Sequence, residues 1–144
     1  MSRLLGIDHG TRRIGLAVGD TETGLAFTRP AVRPRSEDDA IAGVAAVAMS
    51  ENTDLLVIGL PRNMDGSEGR QAAAARAFGE RLAAIGLAVV YHDERLTSWQ
   101  AAADVKDSRR RPSRRSGELD SAAARILLQD YLDARREPGA ATER

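Results

Sequence analysis

The chain opens with two short apolar runs, Leu4 to Ile7 and Ile14 to Val18, separated by the polar stretch Asp8 to Arg13. Runs this short, bounded by glycine and charged residues, suit buried strands rather than helices. A third run, Leu25 to Val32, follows the turn Thr21-Glu22-Thr23-Gly24 and ends among Pro30 and Pro34. Short turns between three strands predict an antiparallel meander. Ser36 followed by Glu37-Asp38-Asp39 is a capping signal, and Ile41, Val44, Ala45, Val47 and Ala48 predict a helix to about Glu51. Leu55 to Leu60 is an unbroken apolar run, the pattern of a strand covered on both faces. Pro61 to Ser67, with Asp65-Gly66, reads as loop.

The periodicity then predicts a helix from about Glu68 to Ile85, with Ala74, Ala75, Phe78, Leu82 and Ile85 on one face. Gly86 ends it, and Leu87 to Tyr91 predicts a fifth strand leading into His92-Asp93-Glu94. Thr97-Ser98-Trp99-Gln100 fits a capping box for a short helix to about Val105. A last helix, about Glu118 to Arg135, places Leu119, Ala122, Ala123, Ile126 and Leu127 at helical spacing. The order β-β-β-α-β-α-β-α-α predicts an α/β fold: a mixed five-stranded sheet, antiparallel strands first, with helices on both faces. Residues 1–137 are expected to form a single domain and 138–144 a disordered tail.

Composition narrows the chemistry. There is no cysteine and there are two histidines, His9 and His92, which excludes thiolate zinc sites and His-rich metal sites. No stretch approaches the roughly 20 apolar residues needed to span a bilayer, and no secretory signal opens the chain, so a cytoplasmic location is expected. Formal net charge is zero. That neutral total conceals a basic segment: Lys106, Arg109, Arg110, Arg111, Arg114 and Arg115 stand against one acid, Asp107, a surplus of five that the rest of the chain balances. The segment reads as a mobile loop. At 3% aromatic residues the chain cannot build a stacking platform for single strands.

Three carboxylates fall at element ends. Asp8 ends the first strand, Glu94 follows the fifth, and Asp120 lies in the first turn of the last helix. Each has a plain structural reading: a turn initiator, a surface ion pair, a helix-dipole partner. If the strands ending at Asp8 and Glu94 are parallel neighbours, both carboxylates emerge at one sheet edge, where open α/β sheets bind ligands. Three acids together, without His or Cys, suggest a hard cation on oxygen ligands, Mg²⁺ or Mn²⁺.

Four ordered blocks carry a family resemblance. They are Gly6-Ile7-Asp8-His9-Gly10-Thr11 with Ile14-Gly15-Leu16-Ala17; Gly59 to Glu68; His92 to Ser98; and Asp120 to Ala124 with Ile126 to Gln129. With these the chain resembles the YqgF/RuvX family, which has an RNase H-like fold and is related to Holliday-junction resolvases. The resemblance implies a metal-dependent nuclease acting in 5′-end maturation of 16S pre-rRNA, in resolution of branched DNA, or in both. It places the acidic triad on Asp8, Glu94 and Asp120, with Asp8 bridging two Mg²⁺ or Mn²⁺ ions. Gly10 and Thr11 would leave room for the scissile phosphate. Arg12, Arg13, Arg62 and Arg95 sit in loops beside the acids and could pair with neighbouring phosphates, and the Lys106 to Arg115 loop reads as a substrate-ordered flap. The expected partner is structured RNA or branched DNA, with no membrane; junction cutting would call for a homodimer.

The chain departs from the related resolvases in one respect. They carry a further carboxylate one helical turn away, whereas here the positions three before and three after Asp120 are Gly117 and Ala123. Full two-metal occupancy would then draw on substrate phosphate. Asp93 is an outer-shell substitute that strand parity turns away from Glu94's face. Two rival readings share the fold: a non-catalytic nucleic-acid-binding or ribosome-assembly factor, and an ATP-binding actin- or sugar-kinase-like protein. The latter normally needs two such domains.

Overall fold

The computed structural model describes residues 1–94 and 121–135. The elements are β1 (Arg3–His9), β2 (Ile14–Asp20), β3 (Ala26–Val32), α1 (Glu37–Ser50), β4 (Leu55–Leu60), α2 (Arg70–Ala84), β5 (Val89–Asp93) and α3 (Ala122–Arg135). The expected helix at Thr97 to Val105, the basic segment and the tail lie outside the described residues. The strands form one mixed sheet in the order β3-β2-β1-β4-β5. β1, β2 and β3 pair antiparallel, and β1, β4 and β5 pair parallel. β3 is an edge strand, the position that tolerates Pro30, which has no N–H to give to a ladder.

Alternation along the strands divides the sheet into two unlike faces. Leu5, Ile7, Ile14, Leu16, Leu56, Ile58 and Leu60 turn toward α1 and α2 and close an apolar core with Ile41, Val44, Phe78 and Leu82. Leu4, Ala17 and Val57 turn the other way and pack on Ala124, Leu128, Tyr131 and Leu132 of α3. Gly6 lies on this second face. A Cβ there would stand 2.8 Å from Leu128 Cβ and 3.1 Å from the Ala124 carbonyl, so the glycine lets α3 lie close on the sheet.

Helix ends follow local chemistry. Ser36 Oγ caps α1 by accepting from the Asp39 N–H at 3.1 Å. α2 begins at Arg70 rather than Glu68, because Glu68 pairs with Arg62 in an antiparallel bridge that closes the loop after β4. Its inward face is Ala72, Ala75, Phe78, Gly79 and Leu82; the expected Ala74 and Ile85 are exposed. The face is set at Gly79, where a Cβ would stand 2.9 Å from both the Tyr91 ring and Ile58. β5 starts at Val89 rather than Leu87, since the Leu87 N–H bonds back to the Leu82 carbonyl around Gly86, whose φ is +99°. On α3, Ala122 and Ala123 are half-buried, and Ala124, Leu127, Leu128, Tyr131 and Leu132 supply the inward face instead.

Candidate active site

Asp8 is the last residue but one of β1, opposite Gly15 of β2. Alternation puts its side chain on the α3 face, with Leu4 and Gly6. Glu94 follows β5 directly, and its N–H donates to the Leu60 carbonyl at 3.2 Å. β1 and β5 are parallel but they are not neighbours, contrary to the simplest expectation: β4 runs between them. The carboxylates still meet, because of Gly59. A Cβ at that β4 position would collide with Glu94 Oε2 and stand 2.8 Å from its Cδ. Glu94 therefore crosses β4 through the space an absent side chain leaves, toward β1. A glycine inside an apolar strand is a recognised mark of close approach, and that signal was present in the run Leu55 to Leu60.

The convergence has an electrostatic consequence. Glu94 is 8% exposed. Burial, then the charges of Asp8 and Asp93, pushes its carboxyl up to about 8. Burial likewise raises Asp8 above the usual carboxylate range. Two desolvated, mutually repelling carboxylates form a donor set of oxygen alone, which fits a hard divalent cation such as Mg²⁺ or Mn²⁺. Among the described residues no group of three such acids forms, and Asp120, the third expected member, lies outside them.

A cavity of about 380 Å³ opens over this pair. The β1–β2 turn, His9 to Arg13, forms one wall, and Pro61 with Gln71 and Ala74 of α2 forms another. Arg12 and Arg13 are both exposed here. What lies close to Gly10 is the protein's own backbone: a Cβ there would meet the Arg13 carbonyl at 2.5 Å. His9 turns to the α2 side and stacks on Phe78, centroids 4.6 Å apart. Burial lowers its basicity, partly offset by Glu37.

Arg62 is placed differently. It pairs with Glu68 at 3.4 Å, and its Nε is buried without a hydrogen-bond partner among the described residues. Glu68 bonds Arg76 more tightly, at 2.7 and 2.8 Å. Arg95, Lys106, Arg109, Arg110, Arg111, Arg114 and Arg115 fall outside the described residues. Ser121 and Gln71 carry no functional reading in the sequence, yet both bear on the site. Ser121 is fully buried; its Oγ accepts from the Leu16 N–H at 3.0 Å and donates to the Arg29 carbonyl at 2.6 Å. Leu16 is the ladder partner of Ile7, so this hydroxyl pins the start of α3 to β2 one step from Asp8.

Comparison with known proteins identifies the lineage. The model of the RuvX family, described as Holliday junction resolvase, matches residues 2–134. The chain belongs to the RuvX family. A Synechococcus elongatus member named "Putative pre-16S rRNA nuclease" is 45% identical over 139 residues, covering 93% of this chain and 91% of its own. An Opitutus terrae relative of the same name is 44% identical, with 94% of both chains covered. Among solved structures, Thermus thermophilus RuvC in complex with a Holliday junction substrate aligns with a TM-score of 0.54 at 17% identity, covering 94% of this chain and 96% of that one. The fowlpox virus resolvase in complex with Holliday junction DNA aligns at 0.59 with 11% identity, covering 94% and 99%. At these identities the likeness speaks to the fold: this RuvX-family chain has the RNase H-like sheet of the resolvases. No helix among its described residues is long and apolar enough to cross a membrane.

Proposed function

We propose that this RuvX-family protein is a divalent-cation-dependent nuclease that hydrolyses phosphodiester bonds in structured nucleic acid, either the 5′ leader of 16S pre-rRNA or branched DNA. One observation carries the reading: Asp8 and Glu94 converge across Gly59 in a cavity edged by Arg12 and Arg13. Asp8, Glu94 and Asp120 hold the cation. Mg²⁺ or Mn²⁺ held there would supply activation of a water and neutralisation of charge on the leaving oxygen. Asp120 directly precedes Ser121, whose hydroxyl is pinned beside the β1 end that carries Asp8. Arg12 and Arg13 hold phosphates flanking the scissile bond, and Arg62, Arg95 and the Lys106 to Arg115 segment extend the basic track. Burial of the two carboxylates strengthens the charge interactions that they make. Cutting both strands of a junction requires a two-fold pair of these sites, hence a homodimer in that role. The nucleic acid and the enzyme meet in the cytoplasm.

The test is cleavage of a labelled four-way DNA junction, single-stranded DNA, duplex DNA and an RNA with a structured 5′ leader. Wild type and Asp8→Asn are compared with Mn²⁺, Mg²⁺ or EDTA. Cutting by wild type should need the cation and fall by about 10³-fold or more in Asp8→Asn, while substrate binding persists. Binding by wild type without cutting of any substrate would make the protein a binding factor instead.

A further inference from the structure

The walls of the cavity differ in charge. The β1–β2 turn contributes Arg12 and Arg13, and the floor contributes Asp8 and Glu94. The α2 wall contributes only Gln71 and Ala74, neutral residues three apart on one helix face. Gln71 is exposed in the first turn of α2, and its carboxamide has no hydrogen-bond partner among the described residues. Ala74, also exposed, leaves space beside it. With phosphates on the guanidinium wall and the scissile group over the acids, the neutral wall faces the uncharged parts of the strand, of which the sugar is the one bonded to those phosphates. A carboxamide both donates and accepts, as a ribose 2′-hydroxyl does. The small side chain at 74 admits a ring next to it.

We propose that Gln71 is the residue with which this site reads the ribose 2′-hydroxyl, making an RNA strand the preferred occupant of the cavity. The inference rests on the nuclease reading for the location of the strand. Its test is a binding ratio. In the Asp8→Asn background, with Mg²⁺ present, affinities are measured for a structured 5′-leader RNA. The same RNA is then measured carrying a single 2′-deoxynucleotide, moved stepwise along the leader. At one position the deoxy substitution should weaken binding about five- to ten-fold, the loss of one hydrogen bond from a desolvated site. In Asp8→Asn with Gln71→Ala that ratio should collapse to about one. Gln71 is exposed and alanine is a strong helix former, so the variant folds.

A ratio unchanged by Gln71→Ala overturns the proposal, as does a parent that never distinguishes the deoxy position. Equal weakening of RNA and deoxy forms would make Gln71 a phosphate contact and also overturns it. Cleavage of the same RNAs by the Asp8-containing protein is scored separately. Cutting with no Gln71-dependent ratio removes this inference alone; a ratio with no cutting of these RNAs or of the four-way DNA junction removes the nuclease reading alone. RNA that fails to bind removes this inference and leaves the nuclease reading to branched DNA.

Discussion

The two faces of the sheet are made from the same strands and have opposite characters. Toward α1 and α2 the strands present Leu5, Ile7, Ile14, Leu16, Leu56, Ile58 and Leu60, which form an apolar core with Tyr91 and His9 at its margin. Toward α3, most alternate positions of β1, β2 and β4 are small or acidic (Gly6, Asp8, Gly15, Ala17, Gly19 and Gly59), and Leu4, Leu55 and Val57 supply the apolar contacts. Large side chains on the first face exclude water and supply hydrophobic free energy. Small ones on the second let α3 approach and leave room for a carboxylate above the strands. A period of two thus lets one set of strands separate stability from chemistry. That separation can be broken from either side.

The largest effect is expected on the apolar face. Phe78 is fully buried, packs between α2 and the sheet, and supports the His9 ring. Phe78→Ala should destabilise the protein by about 3–5 kcal/mol in urea denaturation, the usual range for an aromatic truncated in a core. A loss under about 1 kcal/mol would mean that this face is not where the stability resides.

Two glycines on the α3 face sharpen the contrast. At Gly59 an added Cβ meets the far end of a movable side chain, Glu94, with Leu127 Cδ2 next at 3.0 Å. Gly59→Ala should therefore displace the carboxylate, cutting activity by about 10²-fold, while stability changes by less than about 1 kcal/mol. At Gly6 the neighbours are the Ala124 carbonyl and Leu128 Cβ, which cannot swing aside. Gly6→Ala should cost about 1–3 kcal/mol of stability and leave turnover per folded molecule much closer to wild type. Rates and denaturation midpoints on both variants check this; the reverse pattern would mean the two glycines have been assigned the wrong tasks.

Much of this was legible in the chain. The runs at the starts of β1, β2 and β4 are short, apolar and bounded, and buried strands leave that mark whatever surrounds them. Asp8 and Glu94 were visible as acids at strand ends. The order of strands was not, because it is decided by tertiary pairing: nothing local says that β4 separates β1 from β5. Without that order the glycine inside Leu55 to Leu60 has no evident purpose, although its presence in a strand was itself a signal. Ser121 gives less warning still. Its value lies in the Leu16 N–H and Arg29 carbonyl it satisfies, both about a hundred residues away in the chain. The inward stripe of α2 was displaced from Ala74 and Ile85 because Gly79 makes way for Tyr91, a contact that helical periodicity cannot contain.

The remaining effect lies in the acid pair itself. With no cation bound, Glu94's carboxyl is pushed up to about 8 by burial and by Asp8 and Asp93, against an ordinary 4.5. The folded protein therefore holds that proton more tightly than the unfolded chain does. This contribution is complete below about pH 4.5 and drains away as pH rises through about 8, so chelated protein should lose stability across that window. The loss is on the order of 1–3 kcal/mol, since the exposed mouth of the cavity and relaxation of the pair reduce it. Glu94→Gln carries no ionisable group there. In EDTA it should show a flatter dependence of melting temperature on pH between 5 and 8 and should melt above wild type at pH 8. Adding Mg²⁺ or Mn²⁺ should raise wild-type melting more at pH 8 than at pH 5.5, because the ionised pair is the form that holds the cation, and should do little for the variant. Parallel pH profiles for the two proteins in EDTA would mean that Glu94 is not the strained member of the pair, and that the α3 face carries its acids without penalty.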